Sequence, residues 1–195
     1  MRKQYEPFVT DSEEDLDQTS RMQLKKEYRK RETRGWIFSL VSAILIALLL
    51  RFFVFEFIRV DGPSMEPTLF TDEYVFMEKV TYWFSTPQRG DIIICSFPDR
   101  TDTYVKRIIG IEGDTIQIDG GVLYINGIAN YDYFADIMYT DMAPIIVPEN
   151  HIFVMGDNRN RSMDSSSSSV GPLSYNMILG KALFVIWPVD KIHGL

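Results

Sequence analysis

Cysteine and histidine are nearly absent. In 195 residues there is one cysteine, Cys95, and there are two histidines, His151 and His193. A lone thiol excludes an intramolecular disulfide framework. So few sulfur and imidazole ligands argue against a structural or catalytic zinc site, and no metal or cofactor is expected. Cys95 closes the run Asp91-Ile-Ile-Ile-Cys95, which predicts a packed thiol on a buried strand rather than a reactive one. Positive charge is also short. The formal net charge of −7 argues against a nucleic-acid partner, which normally meets a basic face. No repeat of solenoid length is visible.

What is present falls into three parts. Residues 1–35 carry nine basic and eight acidic residues. With little to bury, this part is expected to be a mobile or frayed helical tail. Six of its cations, Lys25, Lys26, Arg29, Lys30, Arg31 and Arg34, crowd against an apolar run. That run is uncharged for 15 residues, Trp36 to Leu50, and holds 23 residues when counted to Ile58. As a helix, 23 residues reach about 34 Å, enough to cross a hydrocarbon core of about 30 Å. Arg51 and Glu56 fall near one end, where a long side chain reaches the head groups. Residues 36–58 are therefore read as a single transmembrane signal-anchor helix rather than a buried core helix. A removable signal peptide would start with its basic region and end on small residues. Here a polar tail precedes the cations and bulky phenylalanines follow the core. The cations on the N-terminal side predict a cytoplasmic N-terminus and leave residues 59–195 outside.

That outer domain holds ten basic and eighteen acidic residues. Short β-branched and aromatic runs, broken by Gly, Asp, Asn and Pro, read as strands. Among them are Glu73–Met77, Asp91–Cys95, Tyr104–Ile109, Thr115–Ile118, Val122–Ile125, His151–Met155 and Ala182–Trp187. Asp119-Gly-Gly121 and Asn126-Gly127 are hairpin-type turns. The expected fold is mostly β, an antiparallel barrel-like or folded sheet. Residues 128–147 read as an irregular excursion, and the five serines Ser165–Ser169 as a mobile loop.

The stretch Arg59-Val-Asp-Gly-Pro-Ser-Met-Glu-Pro-Thr-Leu69 raises a question of chemistry. Ser64 among Gly and Pro is ordinary turn composition, but it directly follows the apolar run. A serine nucleophile needs a base. His151 and His193 have no evident orienting acid. Lys106 lies in Tyr104-Val-Lys-Arg-Ile-Ile109, where alternation puts Tyr104, Lys106 and Ile108 on one face and Arg107 on the other. A buried lysine loses charge more readily and can then take a proton near neutral pH. The period alone leaves open which of Lys106 and Arg107 points inward.

Three segments in order, Ser64-Met-Glu-Pro-Thr-Leu69, Tyr104-Val-Lys-Arg-Ile-Ile-Gly-Ile-Glu-Gly-Asp114 and Gly156-Asp-Asn-Arg…Ser162-Met-Asp-Ser165, together resemble type I bacterial signal peptidases. The resemblance runs from the apolar segment to the C-terminus and is closest to the compact Gram-positive form with a Ser-Lys dyad. It implies a membrane-bound serine endopeptidase that removes signal peptides from translocated preproteins through an acyl-enzyme. Ser64 would be the nucleophile and Lys106 the general base. Ser162 would orient the lysine and Asp164 would be a structural acid. The Ser64 N–H would serve the oxyanion hole, with Gly62 two residues before the nucleophile. Val60, Met65, Leu69 and Val105 would shape one substrate pocket, Ile58 and Val105 a second. The partners implied are signal peptides, membrane lipid and the secretion translocon. Tyr82-Trp-Phe84 would suit a membrane interface. One departure stands out: the family motif has Arg after Asp-Ser, whereas here Ser166 follows Asp164-Ser165. That predicts a less constrained Asp164 in a more mobile loop, with Arg159 or Arg161 as substitutes. Other readings are a self-cleaving repressor-type protease, a catalytically weak homologue, or a peptidase dedicated to a pilin-like substrate. The anchor and the retained Ser64 and Lys106 weigh against the first two.

Overall fold

The computed structural model describes residues 11–131, 138 and 140–195. The first ten residues of the expected tail, and residues 132–137 and 139 of the expected excursion, lie outside the described residues. The chain divides into two units, residues 1–49 and 50–195.

Helix α1 runs Asp11–Phe53. Of the two expectations for the tail, mobile or helical, the structure has helix, continuous from Asp11 into the apolar run. Residues 11–34 contain neither Gly nor Pro and are rich in Glu, Lys, Arg, Gln and Leu, all good helix formers. Within it the stretch Thr19–Phe53 contains an 18-residue window apolar enough to cross a membrane, with a mean hydropathy of 2.3. Its large apolar side chains, from Trp36 through Leu50, are exposed. A helix apolar on every side has no polar face to give to water.

The helix also ends earlier than hydropathy implies. Phe55–Arg59 is strand β1, so the last residues assigned to the span at the sequence level are not helical. Aromatic and β-branched side chains in alternation suit a pleated surface, and β1 pairs along its whole length with β2, Tyr74–Glu78. Glu56, expected at the end of a span, instead forms an ion pair with Lys79 at 2.7 Å.

After β2 come the short helix α2 (Thr81–Phe84), β3 (Ile92–Ser96), β4 (Thr103–Ile111), β5 (Thr115–Asp119), β6 (Val122–Ile125), β7 (Ile128–Asn130), β8 (Met142–Ile146), β9 (His151–Met155), β10 (Leu173–Ser174), β11 (Ile178–Trp187) and β12 (His193–Gly194). All strand pairs are antiparallel. The larger sheet runs β1-β2-β11-β3-β4-β9-β10, with β12 beside β11. Register shifts in β11 at Ala182/Phe184 and Val185/Trp187 are of the kind that bends a sheet, and the result is the expected folded, barrel-like form. The smaller sheet runs β7-β6-β5-β8. Its tight turn at Asn126-Gly127 has positive φ at both residues, as a two-residue hairpin requires. Residues 128–147 are thus not wholly irregular, since β7 and β8 fall within them. Pro144 is tolerated because β8 is an edge strand.

Strand β3 is buried on both faces. Ile92 and Ile94 join Val60, Met65, Leu69, Val75, Met77, Ala182 and Val185 in one core. Ile93 and Cys95 join Phe97, Ile108, Ile152, Val154, Val170 and Leu173 in another. Cys95 is fully buried, and burial pushes its thiol up to about 12, as expected of a packed core thiol. The Tyr82-Trp-Phe84 triplet is split. Tyr82 donates its hydroxyl to Asp91 at 2.9 Å, while Trp83 and Phe84 are exposed.

Candidate active site

Ser64 lies in a turn that follows β1. The turn is closed by Glu66 N–H to Pro63 O at 3.1 Å and Leu69 N–H to Met65 O at 2.9 Å. Gly62 enters it at φ +94°, a backbone region that glycine adopts without penalty. Met65 and Leu69 are buried and anchor the turn in the first core. An Arg59–Asp72 ion pair lies at its base.

Lys106 enters from the middle of β4, opposite Ile93 of β3. It shares a face with Tyr104 and Ile108, and it is the inward one: Lys106 is 2% exposed. Its Nζ donates to Ser64 Oγ at 2.8 Å and to the Val105 carbonyl at 3.0 Å. It also stands 5.9 Å from the Tyr104 ring centroid, a ring stacked on Phe97 at 4.1 Å. Burial lowers the lysine pKa. The more distant carboxylates of Asp164 and Asp157 oppose that shift without reversing it. Among the described residues, no carboxylate lies within ion-pair range of the amine.

Arg107 points the other way, into a polar network that sequence reasoning did not single out. Its Nε donates to Asp157 Oδ1 and its Nη2 to Asp157 Oδ2, both at 2.8 Å. Its Nη1 donates to the Gly90 carbonyl at 3.0 Å. Asp157 is 1% exposed and also accepts the Thr68 hydroxyl at 2.6 Å. The next residue, Asn158, donates its N–H to the Ser64 carbonyl at 3.0 Å. Arg107 and Asp157 both stand in the quoted motifs. What concealed them was partnership over long sequence separation, which leaves no local pattern.

The remaining assigned residues divide. Asp164 is 1% exposed and fully engaged. It accepts Gly156 N–H at 3.0 Å, Ser166 N–H at 3.1 Å and Ser166 Oγ at 2.7 Å. Ser166, standing where the motif has arginine, thus holds the carboxylate through its hydroxyl and its amide, so the expected loosening of Asp164 is not found. Arg159 does not take that place: its Nη1 points to Met155 Sδ at 3.7 Å. Nor is the serine run simply a loose loop, because Ser165 is buried and exchanges bonds with Val154 of β9. Among the described residues Ser162 Oγ is buried with no hydrogen-bond partner, and the Lys106 amine is held by Ser64 Oγ and the Val105 carbonyl. Gly156 is packed between Ser162 and Ser64, and a Cβ there would collide with the Ser162 side chain and the Ser64 carbonyl. Of the assigned pocket residues, Val60, Met65 and Leu69 are core, while Ile58 and Val105 are partly buried against that core.

A serine hydroxyl within hydrogen-bond reach of a buried, charge-poor amine is an arrangement for nucleophilic attack on a carbonyl. Residues 33–187 match the family described as signal peptidase, peptidase S26. The chain belongs to this family. Among its relatives are a signal peptidase I of Bacillus licheniformis, 37% identical over 87% of this chain and 96% of that one, and signal peptidase I S of Bacillus subtilis, 38% identical over 85% and 95%. A chloroplastic thylakoidal processing peptidase of Arabidopsis thaliana is 33% identical over 81% of this chain and 53% of its own length. As a signal peptidase, the chain is a serine peptidase that cleaves signal peptides from preproteins. Its apolar N-terminal helix fits a single membrane anchor.

Proposed function

We propose that Ser64 and Lys106 carry out this cleavage as a dyad. The supporting observation is the 2.8 Å approach of Lys106 Nζ to Ser64 Oγ at a lysine that burial biases toward its neutral form. Neutral Lys106 takes the Ser64 proton as Oγ bonds to the scissile carbonyl carbon. The resulting ammonium returns that proton to the leaving amine as the C–N bond breaks. Water then attacks the acyl-enzyme carbonyl, giving a proton to Lys106; Lys106 passes that proton to Ser64 Oγ as the acyl C–O bond breaks, releasing the signal peptide's new C-terminal carboxyl group and restoring the hydroxyl and the neutral amine. The Ser64 N–H, with Gly62 letting the backbone approach closely, stabilises the oxyanion. The Val105 carbonyl aims the amine, Asp164 fixes the Gly156 backbone, and Ser162 packs behind Gly156.

The peptide binds extended, as an added strand with alternate side chains entering pockets. Ile58 and Val105 are the walls with surface to offer, and buried Val60, Met65 and Leu69 set their depth. Residues 36–53 form the span, the N-terminus is cytoplasmic, and the domain from residue 59 works outside beside the translocon. Exposed Trp83 and Phe84 suit contact with lipid at the membrane interface.

Cleavage of a detergent-solubilised preprotein by wild type, Ser64→Ala and Lys106→Ala tests the dyad. Both variants are expected to be inactive; wild-type cleavage by either removes that residue from the mechanism. The pH dependence has a definite sign. The neutral amine is the base and burial lowers its pKa, so kcat/KM rises with pH along a limb below the usual lysine range and then levels. Stability follows the same direction: the folded state disfavours the ammonium, and that penalty is relieved as pH rises toward the ordinary lysine value.

A further inference from the structure

Ser64 and Lys106 stand on different elements, a turn and a strand, so their 2.8 Å approach must be held by something other than themselves. Two hydrogen bonds tie the Ser64 turn to the segment after β9. One is backbone, Asn158 N–H to Ser64 O at 3.0 Å. The other is the Thr68 hydroxyl, which donates to Asp157 Oδ2 at 2.6 Å and lies 3.4 Å from Arg107 Nη2. Asp157 is gripped through both oxygens by Arg107, the residue next to Lys106 on β4.

We infer that Thr68 is a positioning residue of this peptidase, its hydroxyl linking the nucleophile's turn through Asp157 and Arg107 to the strand that carries Lys106. Thr68 follows Ser64 by four residues, and the Glu66-to-Pro63 and Leu69-to-Met65 bonds close both residues into one tight turn. A rotation of that turn moves both. The hydroxyl sets the rotation because its acceptor is itself immobile: a carboxylate 1% exposed and held bidentately has no alternative pose. Thr68 touches neither Ser64 Oγ nor Lys106 Nζ in any hydrogen bond. Its effect is on their separation, and misplacement of reacting groups by about 1 Å costs roughly a hundredfold in rate.

The inference rests on the dyad reading, and the experiment separates the two. Wild type, Thr68→Val, Thr68→Ser, Thr68→Ala and Ser64→Ala are compared in full-length, detergent-solubilised form on one preprotein, with kcat, KM and thermal melting measured for each. Valine keeps the shape and removes the hydroxyl; serine keeps the hydroxyl. The expected result is a fall in kcat of roughly ten- to a hundredfold for Thr68→Val, with KM unchanged and kcat restored in Thr68→Ser. Thr68→Ala replaces the valine variant if that one does not fold. Wild-type kcat in the hydroxyl-free variants, or Thr68→Ser as slow as they are, overturns the inference. Loss confined to melting temperature assigns Thr68 to stability alone and likewise overturns it. Full activity in Ser64→Ala instead overturns the dyad reading, whatever Thr68 does.

Discussion

Two cations stand side by side on β4 and face opposite surroundings. Lys106 points into an apolar face shared with Tyr104, Ile108, Ile93 and Cys95, and among the described residues its hydrogen bonds go to a hydroxyl and a carbonyl. Arg107 points to a buried carboxylate that takes two of its N–H groups. Adjacent residues of like charge are thereby given different tasks. A cation without a counter-ion in a dry setting is ready to become neutral and act as a base. A cation locked to a buried carboxylate stays charged and holds structure together.

The sharpest way to break this contrast is to put the second kind of cation in the first kind of place. Lys106→Arg keeps the charge but cannot deprotonate at any working pH, and preprotein cleavage is expected to fall by roughly 10⁴-fold, as when a member of such a catalytic set is removed. Near-wild-type turnover would remove Lys106 as the base. Arg107→Met attacks the other side. It leaves the Asp157 carboxylate buried without its cation, at a cost of about 3 kcal/mol or more, read as a lower denaturation midpoint. An unmoved midpoint would mean that the pair does not hold this face.

Where the two environments meet, Gly156→Ala forces a methyl against Ser162 and the Ser64 backbone. About 2 kcal/mol of stability should be lost through overpacking, with cleavage falling in parallel; unaltered melting and rate would contradict the tight packing. The smallest effects belong to Ser166. Ser166→Ala removes one hydrogen bond to Asp164 and should cost about 1 kcal/mol. Ser166→Arg exchanges that hydroxyl for a guanidinium and should leave melting within about 0.5 kcal/mol of wild type, because the Gly156 and Ser166 backbone N–H groups still hold the carboxylate and the new cation offsets the lost hydroxyl. A large stabilisation by arginine would show that they do not suffice.

Much of this was legible in the order of residues, and the gaps have physical causes. Period-two alternation placed Lys106 and Arg107 on opposite faces but could not say which was inward, because that depends on what packs from the turn at Ser64 and from β9. The end of α1 was misjudged because hydropathy scores Phe55, Phe57 and Ile58 alike whether they face lipid or pair with β2. The tail's helicity was underrated because burial was weighed and intrinsic propensity was not. Thr68 and Asp157 escaped notice since a bond across 89 positions leaves no periodic trace. The Val105 carbonyl as an acceptor for the lysine escaped notice for a related reason: it is a main-chain group, and every residue has one.

The bond between Asn158 and Ser64 has a practical consequence. It runs to the carbonyl of Ser64, not to its hydroxyl, so the tether is indifferent to the side chain at position 64. Under the proposed dyad, replacing serine by alanine is expected to silence the chemistry and leave the turn moored where it was. Such a variant would then act as a trap: with the proposed peptide-binding walls intact and the attacking atom gone, an intact preprotein should be captured on the enzyme and its bound segment read directly.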